Sequence, residues 1–219
     1  MNAEELREAT AALCDSVERF CKSEIAPHVS AWDAAGEFPR QLYQRAAGLG
    51  LLGLGYPEEL GGTSAPYALR MPVWRTLCRH GASGGVQASL FSHNIALPLV
   101  VALGSDAVKR EVIPPVLAGE QIAALGITEP GGGSDVAALK TTARREGDEY
   151  VIDGEKIFIT SGMRADWFTL AVRTDPDNKG AGGISLIVVP GDAAGLSRTR
   201  LDKMGWLSSD TAHLRFDGV

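Results

Sequence analysis

The chain has 219 residues, 45% hydrophobic and 22% charged, the make-up of a globular protein that buries about 70% of its unfolded surface. Its formal charge of -6 argues against a general nucleic-acid binder, because neutralising phosphates takes a concentrated surplus of Lys and Arg. The start, Met1 to Glu24, lacks the pattern of a signal peptide, and no apolar run reaches the roughly 20 residues of a membrane span, so the expectation is a cytoplasmic protein without membrane contact.

Up to about residue 120 the pattern is helical. Leu6, Ala9, Leu13, Val17 and Phe20 recur at three-and-four spacing, Asn2 with Glu5 offers a capping-box start, and Pro27 is expected to end the helix. Cys14 and Cys21 share a face of that helix as small apolar residues. Together with Cys78 they fit neither a disulfide framework nor a zinc site. A second helix is expected over residues 41–47, followed by a turn-rich stretch from Gly48 to Gly62. Further helices are expected over residues 68–79, over 85–103 with a kink or break at Pro98, and over 106–117 interrupted by Pro114 and Pro115. This half reads as an antiparallel helical bundle.

After Gly119 the texture changes to short β-branched and aromatic runs. Eight strands are expected, over residues 122–128, 141–145, 150–153, 156–160, 168–173, 183–189, 197–201 and 212–216, which imply a small β-barrel or sandwich. Gly147-Asp148 and Asp153-Gly154 stand where hairpin turns belong, and Asp175 to Gly182 reads as a loop. The resulting fold class is α+β, with a helical domain over 1–119 and a β-domain over 120–219.

The run Thr128, Glu129, Pro130, Gly131, Gly132, Gly133, Ser134, Asp135 follows an apolar strand directly. Consecutive glycines let the backbone approach a flat or phosphorylated ligand, and their N–H groups can form an anion-binding nest. By composition alone, such a turn is more often a chain connection than a ligand site. It is neither a P-loop, since no Lys-Ser or Lys-Thr closes it, nor a dinucleotide fingerprint, since Val136 stands at the third glycine position.

This run resembles the Thr-Glu-Pro, two small residues, Gly-Ser-Asp signature of acyl-CoA dehydrogenases. Gly154, Glu155, Lys156, Ile157, Phe158, Ile159, Thr160, Ser161, Gly162 resembles the same family's aromatic hairpin. Lys203, Met204, Gly205, Trp206, with Ser209, Asp210, Thr211 before Leu214 and Phe216, resembles its closing β-domain run. The likeness extends over the whole chain. It implies FAD as cofactor and the oxidation of a fatty acyl thioester, carried by coenzyme A or an acyl carrier protein, to its trans-2-enoyl product.

The resemblance also implies site residues. Leu125, Gly126, Ile127, Thr128, Glu129, Gly133 and Ser134 would line the flavin and its diphosphate, with Phe158, Ile159 and Thr160 beside the ring. Ser134, Ala181 and Gly182 would border the acyl-CoA. Glu129 and Asp135 would order the loop rather than move protons. Phe158 and Ile159 read equally as core residues of a central strand. His93 and Asn94 could face the acyl pocket, although a lone helical histidine is more often a satisfied packing residue. Trp32, Trp74, Trp167 and Trp206 read as packing residues.

The family places its catalytic glutamate in a carboxy-terminal helical domain that has no counterpart up to Val219, so no catalytic residue is assigned and the chain by itself is expected to be inactive. Its usual electron acceptor is an electron-transfer flavoprotein. A homo-oligomer, or a complex with a carboxy-terminal partner, is expected. The rival readings are a non-catalytic structural or partner subunit and an acyl-CoA oxidase of the same fold.

Overall fold

A computed structural model describes residues 2–81, 83–178 and 180–219. The chain forms two compact units. The first takes the residues up to Phe91, with Lys109–Gln121 and Lys203–Ser209; the second takes Ser92–Val108, Ile122–Asp202 and Asp210–Val219.

The first unit opens with α1 (Ala3–Phe20), whose N-cap Asn2 and Glu5 close the expected capping box. The helical path does not end at Pro27. A π-turn (Cys21–Ile25) and a 3-10 turn (Ala26–His28) carry it into α2 (Val29–Ala35). Pro27 stands at the start of a new helical segment, where a missing N–H costs nothing. The stop comes at Gly36, at φ 75°, where Glu37 N donates to Trp32 O.

Then follow α3 (Gln41–Gly48), α4 (Tyr67–Gly81), which packs against α1, and α5 (Gly84–Leu90). Cys21 is buried, and burial pushes its thiol up to about 11, consistent with a packing role. The expected 85–103 helix is broken before Pro98 as well as at it. It continues in the second unit as α6 (His93–Ala96) and α7 (Pro98–Leu103), and at the earlier break the Ser92 hydroxyl donates to Ala123 O.

Helix α8 (Asp106–Leu117) runs unbroken through Pro114 and Pro115. Those prolines sit in its last turn, and the carbonyls they leave unpaired belong to the exposed residues Arg110 and Glu111. Segment 203–209 closes the first unit. Ser208 N donates to Asp33, the Ser83 and Ser208 hydroxyls lie 3.1 Å apart, and Gly84 and Gly85 lack the Cβ that would overlap Trp206 and Ser208. Trp206 is not a core residue: it is 63% exposed at φ 52°.

The second unit is a seven-stranded mixed sheet: β1 (Ala123–Gly126), β2 (Thr142–Glu146), β3 (Glu149–Thr160), β4 (Trp167–Arg173), β5 (Ile184–Pro190), β6 (Leu196–Arg200) and β7 (Thr211–Phe216). The order is β1-β4-β2-β3-β7-β6, with β5 on β4 and β1 parallel to β4. Among the described residues the two ends of that path do not pair, so the sheet is an open half-barrel rather than a closed barrel. Eight expected strands become seven because 150–153 and 156–160 are one strand.

Gly147-Asp148 does make the β2–β3 hairpin, but Asp153-Gly154 makes no turn. At Gly154 (φ 139°) the strand changes partner, from β2 before it to β7 after it. Ile122, Ala124, Phe168, Leu170, Val172 and Leu214 form the buried centre. The Thr169 hydroxyl donates to Ala96 O, tying α6 to the sheet beneath β1.

Candidate functional site

Strand β1 ends at Gly126, where an added Cβ would lie 2.4 Å from the Leu170 Cδ2 methyl, so a larger residue here would have to push that side chain aside. Residues 129–132 then close a tight turn, with Glu129 N donating to Gly132 O and Gly132 N to Glu129 O, both at 3.0 Å. Gly133 to Asp135 are exposed. Among the described residues, no acceptor is paired with the N–H groups of Gly131, Gly133 and Ser134 or with the hydroxyls of Thr128 and Ser134. The turn therefore presents donors outward, which suits an anionic ligand.

The Glu129 side chain points the other way. Its carboxylate accepts from Lys140 N at 2.6 Å, Thr141 N at 2.9 Å and the Lys156 ammonium at 2.8 Å. Lys156 is fully buried on β3 and also donates to Ile127 O at 3.1 Å. Ile157 N donates to Thr128 O at 2.8 Å. The glycine turn is thus fastened to β3 on both sides of Thr128. Burial alone would raise the Glu129 carboxyl, but hydrogen bonds from Lys156, Thr141 and the Lys140 N–H outweigh it and hold the group below its ordinary value.

A folded-state value below the unfolded one favours folding above the ordinary carboxylate range, and this contribution is lost as pH falls through the lower, folded value. Urea midpoints measured between about pH 3 and pH 6 should therefore drop in acid for the native chain and change less for Glu129→Gln. Parallel pH profiles for the two would contradict this assignment.

Two residues beyond Lys156 the strand bulges. Phe158 takes φ 62° and is 67% exposed, whereas Ile159 is 2% exposed and Thr160 half-buried. A bulky residue at positive φ stores about 1–3 kcal/mol of strain, and such strain concentrates at ligand sites. Of the two core residues expected here, only Ile159 is one. Asp210 fixes the turn that follows. It accepts from Met163 N at 2.8 Å and Arg164 Nε at 2.9 Å, while Ser161 N donates to its carbonyl.

Arg173, at the end of β4, supports a second edge. Its guanidinium donates to the carbonyls of Ala137, Leu139, Asn178 and Gly180. The loop carrying Ala181 and Gly182 is thereby held against the chain that follows Ser134. Both residues are exposed, with no polar side chain to offer, and Lys179 of the same loop lies outside the described residues.

Residues 7–120 match the acyl-CoA dehydrogenase N-terminal domain, and residues 124–219 match the acyl-CoA dehydrogenase middle domain. The chain belongs to the acyl-CoA dehydrogenase family. It is similar to the long-chain specific mitochondrial acyl-CoA dehydrogenase of Sus scrofa, being 34% identical over 207 residues, which cover 94% of this chain and 48% of that protein.

A crystal structure of a probable acyl-CoA dehydrogenase from Mycobacterium abscessus shares 49% identity at a TM-score of 0.91, covering 95% of this chain and 55% of that one. A glutaryl-CoA dehydrogenase from Mycobacterium smegmatis, solved in complex with FADH2, is 25% identical at a TM-score of 0.86, covering 100% and 55%. The chain spans about half the length of these acyl-CoA dehydrogenases.

The structure thus brings Leu125 to Ser134 of this acyl-CoA dehydrogenase relative next to Phe158 through the Thr128–Ile157 bond. Ala181 and Gly182 approach the continuation of the same loop. His93 is buried within α6 and Asn94 is half-buried, which fits packing for the histidine. Sequence reasoning missed Lys156 and Arg173 as organisers. For Lys156 a signal existed: it follows Ile152 and Gly154 at the two-residue spacing of the inward face, where a cation requires a partner.

Proposed function

We propose that this chain is the flavin- and acyl-binding portion of an FAD-dependent enzyme that oxidises a fatty acyl-CoA thioester to its trans-2-enoyl product. The observation that carries the reading is a glycine turn with outward N–H donors beside an exposed aromatic held at positive φ on the adjoining strand. A planar, negatively charged cofactor fits that set, since the donors match phosphate and polar ring oxygens and the phenyl face matches the flat ring.

Leu125, Gly126 and Ile127 would underlie the ring, with the Thr128, Gly133 and Ser134 donors along its polar edge. Ile159 would support Phe158 from within. The Thr160 hydroxyl, which has no partner among the described residues, would donate toward the ring, where charge develops on reduction. Bound there, FAD supplies the acceptor for the β-hydrogen as hydride. Ser134 and the backbone of Ala181 and Gly182 would border the thioester.

Removing the α-proton takes a carboxylate. That of Glu129 is occupied by three donors, and Asp135 stands exposed on the turn. The resemblance to the family supports a base supplied from outside residues 1–219. Family membership supports an electron-transfer flavoprotein as acceptor, coenzyme A or a carrier protein as acyl carrier, and a homo-oligomer or a complex with a carboxy-terminal partner. Three free cysteines support a cytoplasmic setting.

In a test with an artificial electron acceptor, purified residues 1–219 are expected to bind FAD weakly and to leave a saturated acyl-CoA unchanged. Co-expression with a carboxy-terminal helical portion should give a flavin spectrum that bleaches on adding acyl-CoA. Turnover by residues 1–219 alone would overturn the placement of the base. A well-folded complex that takes up no flavin would point to a structural subunit, and oxygen consumption during turnover to an oxidase.

A further inference from the structure

Four hydrogen bonds from three separate segments meet at one buried ion pair. Glu129 accepts from Lys140 N, Thr141 N and Lys156, and Lys156 also donates to Ile127 O. Glu129 adjoins Thr128 on the glycine turn, and Lys156 precedes the Phe158 bulge by two residues. The pair therefore joins the two elements of the site one residue from Thr128 and two from Phe158, and it does so out of water, with side chains 0% and 9% exposed.

Stability does not require charges there, because apolar side chains of similar volume in place of a buried ion pair are often as stable or more so. Apolar packing is non-directional and would fill the space without fixing an angle. A carboxylate with donors on both oxygens fixes the turn in direction as well as position.

From this we propose that Lys156 and Glu129 are positioning residues, a clasp that sets the placement of the Thr128–Ser134 donors relative to Phe158 and thereby the affinity and electronic surroundings of the ligand between them. With flavin as that ligand, the inference rests on the function proposed above. Both side chains of the clasp are buried. It acts through the carbonyl of Ile127, the turn closed at Glu129 and Gly132, and the Ile157 N to Thr128 O bond.

The test compares the native chain with the double variant Lys156→Met/Glu129→Leu, using FAD as the probe. Four readings are taken: the thermal midpoint, the FAD dissociation constant from flavin fluorescence, the shape of the bound-flavin visible band, and amide exchange at Ile157 and Gly132 without FAD. The expected result is a retained midpoint, FAD binding weaker by about 10- to 100-fold, by analogy with the loss of outer-shell partners at metal sites, an altered band, and faster exchange at both amides.

Unchanged affinity, band and exchange in a folded double variant would overturn the clasp. If the native chain takes up no FAD even with a carboxy-terminal helical portion, the cofactor assignment falls, and exchange decides the clasp by itself: equal protection in both proteins overturns it. If the double variant does not fold, Lys156→Met/Glu129→Gln, which leaves no buried charge and keeps one carbonyl acceptor, is judged by the same readings: weaker FAD binding and faster exchange at both amides support the clasp, and unchanged values overturn it.

Discussion

Replacing Lys156 alone by methionine is expected to destabilise the fold by about 3–5 kcal/mol, the usual cost of removing one partner from a buried ion pair. Methionine fills most of the lysine's volume, so little of this loss is a cavity. The cost comes from Glu129, which stays 8% exposed and keeps only the Lys140 and Thr141 N–H groups. A carboxylate so placed raises its own pKa, because burial is no longer offset by the ammonium.

The deficit should therefore shrink as the pH falls, since a protonated Glu129 costs less to bury. Removing both partners together should cost much less than removing Lys156, because no charge is left behind. Urea denaturation at neutral and mildly acidic pH measures both effects. A single variant within about 1 kcal/mol of the native chain, the range of ordinary surface changes, would show that the pair does not form.

Gly154→Val should cost about 2–4 kcal/mol, combining overpacking with a φ that L-residues disfavour. At φ 139° an added Cβ would lie 2.7 Å from Thr141 Cα and 2.9 Å from Thr141 Cβ. Because the obstacle is partly backbone, no rotamer change relieves it. Displacing Thr141 also disturbs the clasp, since Thr141 N donates to Glu129 and its hydroxyl to Glu155 O.

Gly147→Ala provides the control. Gly147 sits at φ 65° in the β2–β3 hairpin with nothing within 4 Å of its Cβ position, so only the conformational cost of about 1–2 kcal/mol applies. Equal thermal shifts for the two variants would mean that β3 does not approach Thr141 as closely as described.

Local chemistry made much of the molecule legible. Asn2 and Glu5 announce a helix start because capping depends on residues three apart. The switch from helical to two-residue spacing near Gly119 separates helices from strands. Gly147-Asp148 turns the chain by its own φ preferences. Asp153-Gly154 carries an equally good turn signal and yet runs straight, because β2 and β7 hydrogen-bond the two halves of β3 on either side of it. Such pairing outweighs a local preference and depends on strands far along the chain.

The amino-acid sequence by itself determined the family signature, the order of helices and strands, and the glycine turn as the place to look. Only the tertiary structure decided which way the site residues face. Along β3 the inward positions run Ile152, Gly154, Lys156, a parity that would bury Phe158. Between Lys156 and Ile159, however, three steps on β3 match two on β7, from Leu214 to Ala212. That extra residue reverses the parity, sending Phe158 out and Ile159 in. A bulge is a mismatch between two strands, so neither strand's own residues contain it. For the same reason the partner of Lys156, 27 residues away, becomes known only once the turn after β1 lies against β3.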